Sequence, residues 1–193
     1  MTLPHPTQSR QWIFVVLLLA AATRIGFLYK NWNNLDFAPS FMMHAEVARN
    51  ILNGHWFQQN QDYLEQYVDS CQHAQRLIDP EDFTPPKTEQ LEPLYNDEGG
   101  YGLLLAVIWK VTGAKRWWHI RVLQVLLDVI MCWLVYAIGK KTFGEKPGLL
   151  AAFLYACFIP GIELVARPHR DIWVTFLFIT TVYQLLSLKE DRN

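Results

Sequence analysis

Long apolar runs constrain this chain more than anything else in it. Apolar residues are gathered into Trp12–Leu28, Tyr101–Trp109, Ile120–Ile138, Leu149–Val165 and Ile172–Leu188 rather than dispersed at amphipathic spacing. Several of these blocks reach the roughly 17–25 residues that a helix needs to cross a bilayer. A chain of 193 residues with 51% hydrophobic content has enough apolar material for one soluble core, but clumping of this kind belongs to a membrane protein. The expected fold class is therefore all-α and integral to the membrane.

The charges are segregated as well. Between Gln58 and Gly100 stand ten Asp and Glu residues against only Arg76 and Lys87, an acidity that excludes nucleic acid as a partner. Cys132 and Cys157 fall in apolar runs and Cys71 stands alone in the polar region, so the spacing supports neither a disulfide framework nor a zinc site. The first apolar run continues to Tyr29 with Arg24 inside it and no A-x-A cleavage pattern follows. It reads as an uncleaved first span rather than a signal peptide.

The order of spans turns on "YGLLLAVIWKVTGA" (Tyr101–Ala114), whose ten or so strongly apolar residues before Lys110 are short for a crossing. If it lies at the interface, four spans remain, near 12–29, 119–139, 148–165 and 171–188. Arg10, the Lys140–Lys146 loop and the "LKEDRN" tail then share the cytoplasmic side, as the positive-inside rule asks. Residues 31–118 form one large external region, and "ARPHRD" emerges beside it. Within that region Ser40 is a helix N-cap candidate. Met42, Ala45, Ala48, Ile51 and Leu52 follow at helical spacing, and Gly54 marks a stop. Interfacial helices are expected near 41–53 and 101–114, with one more short helix within "NQDYLEQYVDSCQHAQRLI".

Several motifs occur in a telling order: "ARNILNG" after a first span, the "GGYGLLLAVIWKVTG" helix, then "RVLQVLLDVIMCWLVYAIGKKTFGEKPGLLAAFLYACFIP" and "ARPHRD". This order resembles the N-terminal part of the GT-C membrane glycosyltransferases, closest to the protein O-mannosyltransferase-like and aminoarabinose-transferase-like groups. The resemblance runs over about residues 12–188. It implies transfer of a sugar from a polyprenyl-phosphate carrier to an acceptor hydroxyl outside the cytoplasm, with the lipid-linked donor and membrane lipids as partners. The chain departs from the family in three ways. Ser40 and Phe41 stand where the family carries an acidic pair, with His44 at the following aromatic position. Glu98 and Gly99 replace a proline pair. Members of the family are also much longer, so a second membrane polypeptide completing the fold is a candidate partner.

Such a transfer needs a carboxylate to take the acceptor proton and cations to stabilise the departing phosphate. Asp36 is the candidate base. Arg167 and Arg170 are the candidate phosphate ligands, since a guanidinium holds phosphate oxygens bidentately. His169 is a further donor contact. Asp171 either orients Arg170 or, as the resemblance implies, helps hold a divalent metal such as Mg or Mn. His44, Glu98 and Tyr101 are candidates to line the substrate loop. Plainer roles compete: Asp36 as a loop or helix-start residue, the two arginines as headgroup ligands, and Glu163 with Arg167 as an i,i+4 ion pair. Two charges lie deeper, Arg24 in the first span and Asp128 in the second. Buried intramembrane charges are usually paired or functional, and a clamp between spans is the expected role, with Gln124 and Arg121 as other partners.

Three functions therefore stand: a GT-C-type glycosyltransferase or part of one, a non-catalytic membrane subunit that binds lipid-linked sugar or a partner protein, and a small transporter. The absence of N-x-S/T sequons points to a bacterial inner membrane, with the first large loop in the periplasm.

Overall fold

The structure, a computed structural model, describes residues 6–56, 58–59, 61–84, 92–93, 99–167 and 169–190; the candidate Glu98 lies outside them. The described residues hold helices α1 (Pro6–Lys30), α2 (Ala38–Leu52), α3 (Gln61–Ala74), α4 (Gly99–Thr112), α5 (Trp117–Phe143), α6 (Glu145–Ala156), α7 (Ile159–Ala166) and α8 (Asp171–Glu190). A 3₁₀ turn (Leu35–Phe37) precedes α2, and two residues of β1 (Gln58–Gln59) pair antiparallel with β2 (Glu92–Pro93). The chain divides into two compact units, one of Met1–Lys30, Leu123–Ala166 and Asp171–Asn193, the other of Asn31–Val122 and Arg167–Arg170.

The first unit carries the long apolar helices. Gln11–Lys30, Trp117–Phe143 and Asp171–Lys189 are each long and apolar enough to cross a bilayer, and α6 with α7 makes a fourth crossing if the pair counts as one span. Its core gathers Val16 and Ala20 of α1, Cys132 and Tyr136 of α5, and Ala152 and Ala156 of α6. Small residues let the α5–α6 hairpin close. Gly144, at φ +95°, makes the turn, a conformation that costs glycine little. Beyond it, a Cβ placed on Gly148 would stand 2.6 Å from the Lys140 nitrogen and 2.8 Å from the Tyr136 carbonyl oxygen. Helix α8 is scarcely covered by protein, and Val174, Leu177, Phe178, Leu185 and Leu188 are exposed on it. Hydrocarbon is the environment in which such a surface is stable.

The run expected as one span over 148–165 is two helices bent by 52° at a break of two residues, Cys157 and Phe158. Pro160 is the second residue of α7. It has no N–H to offer the Ala156 carbonyl four residues back, and its ring would clash with that oxygen in a continuous helix.

The second unit is built on α2 against α4. The spacing Phe41, Met42, Ala45, Ala48 puts fully buried side chains on one side of α2, and Gly102 of α4 admits Val47, whose Cβ would stand 2.7 Å from a Cβ at position 102. Tyr101, Leu105, Ala106 and Trp109 bury one face of α4, while Leu103, Val107 and Val111 stay exposed on the other. Fourteen residues make about 21 Å of helix, less than the hydrocarbon thickness. Helix α2 differs from a helix lying on a surface: Val47, Glu46 and Asn50 are buried too, because α3 and β1 cover the side that α4 leaves. It also begins two residues before Ser40. Asn34 caps the preceding 3₁₀ turn by accepting the Asp36 N–H at 3.1 Å, and that turn runs directly into α2.

The acidic region is fastened rather than merely solvated. Asp79 accepts the Trp117 N–H at 2.9 Å, supplying an acceptor to the first residue of α5, where orphan N–H groups and the positive end of the helix dipole favour a carboxylate. Glu81 accepts from the Lys115 N–H at 3.2 Å and pairs with the Arg116 guanidinium. Tyr67 donates to the Ile78 carbonyl and accepts from Trp117 Nε1 at 3.0 Å. Phe83 packs edge-on against Tyr63 and Tyr67, each at 5.2 Å.

Candidate functional site

The second unit brings together most of the site candidates read from the sequence. His44 projects from the middle of α2 and is 2% exposed. Its ring lies 4.4 Å from that of Tyr101 on α4 and 6.2 Å from that of His169, which stands edge-on to it at 75°. The Arg167 guanidinium sits over the Phe37 ring at 4.4 Å, within the range of a cation–π contact. Phe37 directly follows Asp36, which is exposed in the 3₁₀ turn. Residues Arg167, His169 and Arg170 thus return to the helix that carries His44 and the turn that carries Asp36, from more than 120 positions away in sequence.

Burial sets the protonation of this cluster. Desolvation, followed by the neighbouring charges of His169 and Arg170, lowers the His44 pKa to about 4. The imidazole is therefore neutral at physiological pH. A neutral ring beside the Arg170 guanidinium can accept a hydrogen bond through its unprotonated nitrogen without adding to the positive charge there. What the arrangement offers chemically is an exposed carboxylate (Asp36), a neutral imidazole, a phenol (Tyr101) and two guanidinium groups, all in one unit.

Three other candidates stand elsewhere. Asp171 is the first residue of α8, in the first unit. Arg24 and Asp128 are also in the first unit, where Arg24 Nε meets Asp128 Oδ2 at 2.5 Å with both side chains buried. Gln124 is fully buried on α5, and Arg121 belongs to the second unit. Among the described residues no three His, Cys, Asp or Glu side chains gather as a ligand set for a metal ion.

Arg121 is the residue that sequence reasoning undervalued. Its guanidinium is clamped between the rings of Trp32 and Phe41, at 4.5 and 4.7 Å, and Nη1 donates to the Trp32 carbonyl at 3.0 Å. Nε and Nη2 meet no hydrogen-bond partner among the described residues. Beside it lies a polar pocket of about 210 Å³, lined by Trp32, Arg76, Asp79, Asp82 and Trp117 with Arg121. The available signal was an arginine one turn inside an apolar run, just after two tryptophans; Trp32 and Phe41 themselves are too distant in sequence to be seen as its partners.

Residues 100–193, just under half of the chain, match the family model described as dolichyl-phosphate-mannose-protein mannosyltransferase. Comparison with curated proteins and comparison with solved structures found no match.

Proposed function

We propose that the chain, whose residues 100–193 match the dolichyl-phosphate-mannose-protein mannosyltransferase family model, binds a polyprenyl-phosphate-linked sugar at the Arg167–Arg170 corner and transfers the sugar to an acceptor hydroxyl. The observation that supports this most is the return of Arg167, His169 and Arg170 to the turn and helix that hold Asp36 and His44. Asp36 takes the proton of the attacking hydroxyl. The bond between the anomeric carbon and the phosphate oxygen breaks as the new glycosidic bond forms, with inversion. Arg167 and Arg170 take the charge of the departing lipid phosphate, where fixed cations in a poorly solvated site act most strongly. His44 and Tyr101 line the substrate side and His169 contacts the phosphate. Asp171 follows Arg170 in the chain. The second unit faces the periplasm of a bacterial inner membrane.

A second reading has one observation in its favour. At the positions that the family gives to an acidic pair stand Ser40 and Phe41, and Phe41 is fully buried with its ring 5.1 Å from that of Trp117. A chain without that pair fits a non-catalytic subunit that binds the lipid-linked sugar for a partner. Transfer of radiolabelled mannose from polyprenyl-phosphate mannose, measured in proteoliposomes, separates the two. Sugar transfer expects Asp36→Asn and Arg170→Ala each to abolish turnover at normal abundance. If neither substitution changes the rate, the proposed base and phosphate ligand are wrong. If donor binds without turnover in the parent chain, the subunit reading replaces the enzyme.

A further inference from the structure

The break between α6 and α7 leaves the Ala156 carbonyl without the N–H donor that a helix would supply four residues on, within an apolar span. Cys157 N–H reaches Phe153 and Phe158 N–H reaches Tyr155, both at 3.1 Å, but Pro160 has no N–H for Ala156. An unpaired carbonyl in hydrocarbon is costly, and broken spans persist where a neighbouring helix supplies the missing donor. Arg24 of α1 is that donor. Its Nη1 donates to the Ala156 carbonyl and its Nη2 to the Tyr155 carbonyl at 3.1 Å. Thr23 Oγ1 also approaches Ala156 O, at 3.5 Å.

The rest of the guanidinium is held from the other side. Nε pairs with Asp128 Oδ2 at 2.5 Å, and the second carboxylate oxygen accepts the Tyr155 hydroxyl at 2.7 Å. The Arg24 group thus touches the break, the carboxylate that neutralises it and the helix that carries the break. Gly161, one residue past the proline, leaves room beside Arg24 Nη2, which a Cβ there would approach at 4.0 Å.

We propose that Arg24, fixed by Asp128, is a lock that holds α6 and α7 at their 52° bend, and that Pro160 breaks the helix without setting that angle. The planar fork matters: a lysine head is a compact point charge that cannot span a carboxylate and two carbonyls in fixed directions. Release of the lock lets the angle between the two helices relax, while the Pro160 ring still keeps them from joining as one continuous helix.

Spin labels at the exposed positions Lys146 and Glu163, introduced as non-natural amino acids so that the three native thiols stay, report the bend in the full chain reconstituted in nanodiscs. At a rise of about 1.5 Å per residue, opening the 52° bend fully would lengthen this separation by roughly 2 Å. Arg24→Gln is expected to lengthen or broaden the distance distribution and Arg24→Lys to do so partly. Pro160→Ala, which leaves Arg24 in place, is expected to keep the parent distance. That variant keeps the test decisive if Arg24→Gln does not fold. Straightening in Pro160→Ala, or a parent-like narrow distribution in Arg24→Gln, would overturn the lock.

Discussion

His44 shows how the fold fixes a charge state at one residue. Its folded pKa lies at about 4, below the 6.5 of the free side chain, because the ring is buried beside His169 and Arg170. Between these values the unfolded chain binds the proton that the folded chain refuses. Stability from His44 is therefore full above pH 6.5, falls as pH drops and is lost by about pH 4, with a slope of at most one proton. Urea titrations from pH 7 to 4 should show this fall, and His44→Gln should flatten it. Arg24 and Asp128 give a second prediction at this scale. Removing one member of a buried ion pair strands the other, typically at about 3–5 kcal/mol. Asp128→Asn and Arg24→Met are each expected to cost about that much in denaturant titration of the purified protein, and the double variant less than the sum of the two. Additive costs would mean that the pair does not act as a unit.

At the scale of elements, two glycines decide which helices can touch. Any side chain at Gly148 meets the α5 backbone at Lys140, Tyr136 and Gly139, none of which can step aside, so Gly148→Leu should open the α5–α6 hairpin. Overpacking of a rigid contact costs typically 1–3 kcal/mol or more, read as lower thermal stability. Gly102→Val should do the same between α2 and α4, since Val47 is stiff at χ1. The long helices were legible in the sequence because an uninterrupted apolar run admits little else in a bilayer. The bend was legible only by half: Pro160 marked the place, but the donor that satisfies Ala156 stands 132 residues away. Helix α2 read as a surface helix, since its own sequence cannot say that α3 and β1 cover its second side. Nor does local patterning reveal that Asp79 closes the start of α5 from a loop 38 residues upstream.

For the whole molecule, residues 100–193 match the family model described as dolichyl-phosphate-mannose-protein mannosyltransferase, and the helices long and apolar enough to cross a bilayer make an integral membrane protein. Motif order carried that much into the sequence reading. The cluster of His44, Tyr101 and His169 was visible only as separate candidates, because tertiary packing brings distant segments together. Catalysis and donor capture by a subunit share one requirement, that Arg167 and Arg170 hold the phosphate of the lipid carrier. Hydrogen bonds to charged groups contribute about 1.5–3 kcal/mol each, or roughly 10–100-fold in affinity. The most direct measurement is therefore equilibrium binding of polyprenyl-phosphate mannose to the purified chain in nanodiscs, beside Arg167→Ala/Arg170→Ala. Saturable binding that weakens at least about tenfold in the double variant is the predicted result. Equal affinity in the two proteins, or no saturable binding by the parent chain, would contradict it.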